Sequence, residues 1–120
     1  MLAWEVEYTD EFGRWWAELS VAQQEAVDTA VEHLQATGPG LGRPWVDTVK
    51  GSRHANMKEL RPRCGHLRVL FAFDSRRSAL LLIGGDKSDR WKAWYAEAIP
   101  EADRLYDDHL EALRQEGEMP

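Results

Sequence analysis

Residues 4–8 alternate, with Trp4, Val6 and Tyr8 on one side and Glu5 and Glu7 on the other. That period of two predicts a half-buried strand with an acidic outer face. Thr9 or Asp10 then offers a helix cap, and Phe12, Trp15, Trp16 and Leu19 recur at helical spacing. Ser20 and Gln23 are spaced as a capping box, so a second helix is predicted from there. Its apolar stripe is Val27, Ala30, Val31 and Leu34, and Gly38-Pro39-Gly40 ends it. The two helices read as a hairpin whose acidic face, Glu18, Glu25, Asp28 and Glu32, lies in solvent. Residues 38–54, rich in glycine and proline, read as a loop anchored by Trp45 and Val46.

Asn56–Arg61 is the next strand, ended by Pro62, and Arg63-Cys64-Gly65 makes a turn. Alternation returns from His66 to Asp74, with Leu67, Val69, Phe71 and Phe73 on one face and His66, Arg68, Leu70 and Ala72 on the other. Asp74-Ser75-Arg76-Arg77 is a hairpin loop. Ala79–Ile83 is a buried strand, apolar on both faces, ended by Gly84-Gly85. A helix follows, capped by Ser88 or Asp89, with Trp91, Trp94 and Tyr95 three and four apart. Pro100 breaks or kinks it. A last helix carries Leu105, Tyr106, His109, Leu110 and Leu113. The order β-α-α-β-β-β-α predicts one α+β domain over residues 1–120. In it a three-stranded meander joins the first strand in a four-stranded sheet. The helices cover one face, and the other is left to polar residues, a partner or a substrate.

Charge sharpens this picture. Residues 43–90 hold eleven Lys/Arg against five acids, residues 1–42 one base against eight acids, and residues 91–120 three bases against eight acids. A basic centre between acidic flanks fits a local anionic ligand such as a nucleic-acid backbone, or simply a basic hairpin on an acidic protein. One cysteine, Cys64, excludes an internal disulfide and fits a reducing compartment. The start, Met-Leu-Ala-Trp-Glu, has neither a basic region nor an apolar run, so no signal peptide is expected. Ala79–Ile83 is far too short to cross a bilayer. A cytoplasmic protein without membrane contact is expected. His54, Cys64 and His66 lie close in sequence without metal-ligand spacing, so neither metal nor other cofactor is expected.

Four segments in order carry a resemblance: Met57-Lys58-Glu59-Leu60-Arg61, Arg68–Asp74 (Arg-Val-Leu-Phe-Ala-Phe-Asp), Leu81–Lys87 (Leu-Leu-Ile-Gly-Gly-Asp-Lys) and Ile99–Leu110. Together with the element order, they resemble the HigB-like, phage-related branch of the RelE/ParE toxin superfamily. The resemblance implies a RelE-like fold and a toxin of a type II toxin–antitoxin module. Active members are ribosome-dependent endoribonucleases that cut mRNA and halt translation. Their partner is a helix-turn-helix antitoxin, through which alone the toxin reaches operator DNA. The superfamily also includes members that poison DNA gyrase by protein contact, and a decayed toxin acting only in autoregulation is a third reading.

Metal-free RNA cleavage uses the substrate's own 2′-hydroxyl as nucleophile. The enzyme must align it, take its proton and stabilise the extra phosphate charge. By resemblance, Lys58, Arg61, Arg68 and Lys87 stand at catalytic positions. Arg61 and Arg68 would hold the phosphate, and Lys58 or Lys87 would move a proton. Trp91 or Tyr95 would stack on a base, and Arg63, Arg76 and Arg77 would touch RNA. Lys58 and Arg61 are three apart and face opposite sides of a regular strand unless a bulge intervenes or Arg61 lies at the strand end. The plainer alternatives are edge-strand charges for Lys58 and Arg61, a nearby acid such as Glu59 as partner of Arg68, and Asp86 or Asp89 for Lys87. Trp91, Trp94 and Tyr95 also fit a helix core. The sequence pI near 5.2 departs from the basic character of active members.

Overall fold

The computed structural model describes residues 3–88 and 91–117. Strand β1 (Val6–Tyr8) leads into α1 (Asp10–Ala17) and α2 (Val21–Thr37). Thr9 caps α1 by accepting from the Phe12 N–H, and Ser20 and Gln23 close the expected capping box on α2. A 3₁₀ turn (Gly38–Gly40) ends the hairpin, with Gly38 at φ 72° and the Trp4 indole in the space a side chain there would need. The remaining elements are β2 (Val46–Thr48), β3 (Lys58–Leu60), β4 (Leu67–Phe73), β5 (Ala79–Asp86) and α3 (Trp91–Gln115).

The sheet is mixed and has five strands in the order β1-β5-β4-β3-β2, not four. β1 runs parallel to β5, and the other pairs are antiparallel. The extra strand is β2, which lies in the stretch expected to be loop. Three residues flanked by glycine and proline carry too little alternation to announce a strand, and pairing with β3 creates it. β5 runs through Gly84-Gly85 instead of stopping there. A Cβ on Gly84 would lie 2.3 Å from the Trp15 ring and one on Gly85 2.0 Å from the Trp94 indole nitrogen. These glycines admit indoles against both faces of the strand, so here they serve packing and not a turn.

The expectation that the helices share one face is corrected. Phe12, Val27, Ala30 and Leu34 of α1 and α2 pack with Leu60, Val69, Phe71 and Leu81. Ala98, Ala102, Leu105 and Tyr106 of α3 pack with Met57, Leu70, Ala72 and Leu82 on the opposite face. No broad sheet face is left open among these elements. α3 also runs unbroken past Pro100. An interior proline costs a helix about 3 kcal/mol, and burying Leu105 and Tyr106 against the sheet returns at least that much. Ser88 donates its backbone N–H to Asp86, and the alternative cap, Asp89, lies outside the described residues.

Candidate active site

Strand alternation decides which charged side chains meet. Leu60 belongs to the α1/α2 side, so Glu59 points to the α3 side, and Arg61 follows it two residues on. Glu59 stands opposite Leu70, which packs on α3, and Arg68 lies two positions before Leu70 on the same face. Lys58 stands opposite Phe71, a residue of the α1/α2 core. The β3 register is regular, so no bulge brings Lys58 round to the face that Glu59, Arg61 and Arg68 share.

Glu59 is the centre of the arrangement, only 4% exposed. Its Oε1 accepts from the Tyr95 hydroxyl at 2.5 Å, and its Oε2 accepts from Arg61 Nε at 2.8 Å. Arg68 Nε lies 3.7 Å from the same Oε2. That nitrogen is buried and finds no hydrogen-bond acceptor among the described residues, while Arg68 Nη1 donates to the Leu67 carbonyl at 2.7 Å. Asp47, opposite Glu59 on β2, accepts from Arg61 Nη2 at 3.2 Å and from Arg43 Nη2 at 2.8 Å. The Trp94 indole packs against Gly85, the register partner of Arg68.

Glu59, Arg61, Asp47 and Tyr95 border a groove of about 470 Å³ between the β2–β3 edge and the first turns of α3, while Arg68 reaches it only through Glu59. Asp47, Glu59, Arg61, Trp91, Tyr95 and Ile99 line it, with Lys50 and Arg43 at its rim. Trp91 is 53% exposed and its ring centroid lies 6.5 Å from that of Tyr95. Lys87 Nζ lies 6.0 Å from the Tyr95 ring centroid. The aromatic trio therefore divides: Trp94 packs against the core and Trp91 and Tyr95 face the groove.

Burial, and then the bond to Glu59, pushes the Tyr95 hydroxyl up to about 12, so it keeps its proton and acts as a donor. Partial burial opposes the Arg61 charge, but Glu59 and Asp47 outweigh it and leave its pKa above the ordinary value. The Arg43 hydrogen bond, followed by the Thr48 N–H, holds Asp47 below the usual carboxylate range. Two guanidiniums thus flank one carboxylate, and one of them has a buried donor left over. A phosphate has the acceptor geometry to take those donors.

The other expected RNA contacts lie elsewhere. Arg76 sits in the β4–β5 turn, about 17 Å along β4 from Arg68 by strand rise. It binds Asp74 at 2.8 Å and Glu7 at 2.6 Å. Arg77 lies over the Trp4 ring at 4.6 Å. Both therefore lie at the far end of β4 from Arg68. Arg63 is exposed on the β3–β4 connection, 5.9 Å from the Trp45 ring. Among the described residues, Glu7, Asp74 and His109 bring ligand atoms within 4.8 Å of one another, but the Arg76 guanidinium already bridges both carboxylates. Sequence reasoning assigned Glu59 only as a neighbour of Arg68. Its central place was readable from alternation, which pairs residue 59, not 58, with residue 61.

Residues 14–107 match the family of phage-derived Gp49-like proteins. The chain is 46% identical over 104 residues to HigB2 of Mycobacterium tuberculosis, covering 84% of this chain and 52% of that protein. It is 47% identical over 97 residues to HigB3 of the same organism, covering 81% of this chain and 85% of that one. The chain belongs to the HigB-like branch of the RelE toxin superfamily. It spans about half the length of HigB2. A double-arginine mutant of E. coli toxin RelE in the free state shares the fold. Its TM-score is 0.62 at 12% identity, over 82% of this chain and 97% of that one. Among the described residues, no helix is long and apolar enough to cross a membrane.

Proposed function

We propose that this HigB-like chain is the toxin of a type II toxin–antitoxin module and cuts mRNA on the ribosome without a metal. The observation that carries the reading is the Arg68 guanidinium beside Glu59, with a buried Nε that no described residue accepts from, next to an aromatic-lined groove. Arg61 and Arg68 bind the non-bridging oxygens of the scissile phosphate, displacing Glu59 from their donors. Glu59, so released, takes the proton of the ribose 2′-hydroxyl in place of Lys58 or Lys87. The 2′-oxygen bonds to phosphorus as the bond to the 5′-oxygen breaks. The guanidiniums hold the extra negative charge of the transition state. Lys87, beside Tyr95, supplies the proton to the leaving 5′-oxygen. The products are a 2′,3′-cyclic phosphate and a 5′-hydroxyl end. Trp91 stacks on a base next to the cut, with Tyr95 holding Glu59 in place.

In this reading the protein works in the cytoplasm, and a helix-turn-helix antitoxin neutralises it and carries it to operator DNA. Mapping RNA 5′ ends after induction in cells tests the reading. Growth arrest with new 5′-hydroxyl ends inside coding regions supports it. Arrest with DNA-damage signalling and intact transcripts would replace it with gyrase poisoning, and no arrest with a decayed toxin.

A further inference from the structure

The C-terminal segment that carries part of the family resemblance holds polar residues with no part in the chemistry above. Tyr95, Ile99, Asp103 and Asp107 are four apart and form one stripe of α3. The first two line the groove, and the next two grip the loop that follows β2. Asp103 is only 3% exposed. Its Oδ1 accepts from the Ser52 hydroxyl at 2.5 Å and its Oδ2 from the Arg53 N–H at 3.1 Å. Ser52 Oγ in turn accepts from the His54 N–H at 3.0 Å. One turn on, Asp107 binds the His54 ring at 2.7 Å and the Arg53 guanidinium.

This grip acts on the residues beside the groove. Gly51, at φ 94°, turns the chain just before Ser52 and borders a hollow that Trp91, Lys92 and Tyr95 also line. Lys50 is at the groove rim with Glu59, Arg61 and Tyr95. A flexible nine-residue connection would leave the Lys50 charge spread over many positions, and the two carboxylate oxygens of buried Asp103 fix it to one. Tyr95 and Asp103 are two turns apart on the same helix, about 12 Å by helical rise. The wall carrying Lys50 and the wall carrying Tyr95 are therefore set by a single rigid element.

We propose that Asp103 is a positioning residue: by fixing Ser52 and Arg53 it holds Lys50 at the groove rim, where the ammonium engages a phosphate flanking the cut. The inference rests on the reading of the groove as an RNA-cleaving site. It assigns Asp103 to binding of the RNA strand and not to the chemical step.

The test uses the full chain on ribosomes programmed with a defined mRNA, measuring maximal cleavage rate and half-saturating ribosome concentration. Asp103→Asn turns an amide donor toward one of the two groups that Asp103 accepts from, and Lys50→Ala removes the charge it positions. Each raises half-saturation by roughly tenfold with the maximal rate within about threefold of wild type. The double variant is no worse than either single, because both act through the same ammonium. Ser52→Ala repeats the effect and Ser52→Thr, which keeps the hydroxyl, restores wild-type behaviour. That pair carries the test if Asp103→Asn fails to fold. Losses that multiply in the double variant, a fall in maximal rate with half-saturation unchanged, or no rescue by Ser52→Thr overturn the positioning role. A wild-type chain that cuts no mRNA overturns the parent reading instead, and the positioning role falls with it.

Discussion

The two ends of the β4–β5 hairpin each bury a carboxylate beside an arginine, and they differ in whether the donors are used up. At the turn end the Asp74 side chain is fully shielded and accepts from the Arg76 N–H, the Ser78 N–H, the Arg76 guanidinium and the His109 ring. Arg76 also reaches Glu7 on β1, so every strong group there has a partner. At the other end Glu59 faces a groove, and the Arg68 Nε beside it has no acceptor among the described residues. A saturated network ties elements together. An unsaturated one next to a cavity keeps a donor in reserve, and a ligand anion is what can use it. Residue types alone do not separate the two sites; the count of remaining donors does.

Exchanging the carboxylates for neutral groups separates the two ends most strongly. Glu59→Gln removes the proposed proton acceptor, so cleavage of ribosome-bound mRNA falls by roughly 10²–10⁴. The same change releases two guanidiniums, so the variant binds the RNA tighter than wild type in an equilibrium assay. Weaker binding would show that Glu59 does not compete with phosphate. Asp74→Ala acts on stability instead. It strips Arg76 and His109 of their shared acceptor and costs about 3 kcal/mol in urea unfolding, with cleavage per folded molecule unchanged.

The paired glycines sharpen the contrast on a smaller scale. Alanine at Gly84 or Gly85 drives a methyl into an indole, and each costs roughly 1–3 kcal/mol. Only Gly85→Ala moves Trp94 over the register partner of Arg68, so only that variant also slows cleavage. Equal activity in both would mean that Trp94 does not support Arg68.

Proton linkage gives the smallest effects and opposite signs at the two ends. Burial raises the Tyr95 pKa to about 12 from the ordinary 10.0, so the unfolded chain loses that proton first. Its contribution to stability is complete below pH 10 and is lost as pH rises from 10 toward 12. Burial acts to raise the Asp74 pKa, but the bonds from Arg76 and His109 outweigh it and leave it lowered. Its contribution is complete above the ordinary carboxylate range and is lost as pH falls below it. Unfolding curves of Tyr95→Phe and Asp74→Asn against pH check each limb, since each variant should flatten only its own.

Much of this was legible in the sequence. Alternation over residues 66–74 and the apolar stripe of α2 fixed the main elements, because long periodic segments bury enough surface to decide their own structure. β2 was not legible, since three residues among glycines and prolines gain strand character only from pairing with β3. The unbroken α3 was obscured by Pro100, whose local cost is overcome by packing that the sequence does not display. That packing also placed α3 on the face expected to be open, which confines the site to the sheet edge. Arg61 and Arg68, expected to share a phosphate, come together at Glu59, whereas Lys58 takes the other face of β3, as the strand period implies.

The most direct measurement compares Arg68→Ala with Arg76→Ala on ribosomes programmed with one mRNA, reading the cut positions by primer extension. Wild type and Arg76→Ala should cut at the same positions, while Arg68→Ala yields no cut and unfolds at nearly the wild-type temperature. Undiminished cutting by Arg68→Ala, or its loss in Arg76→Ala alone, would contradict the assignment of the phosphate to the groove.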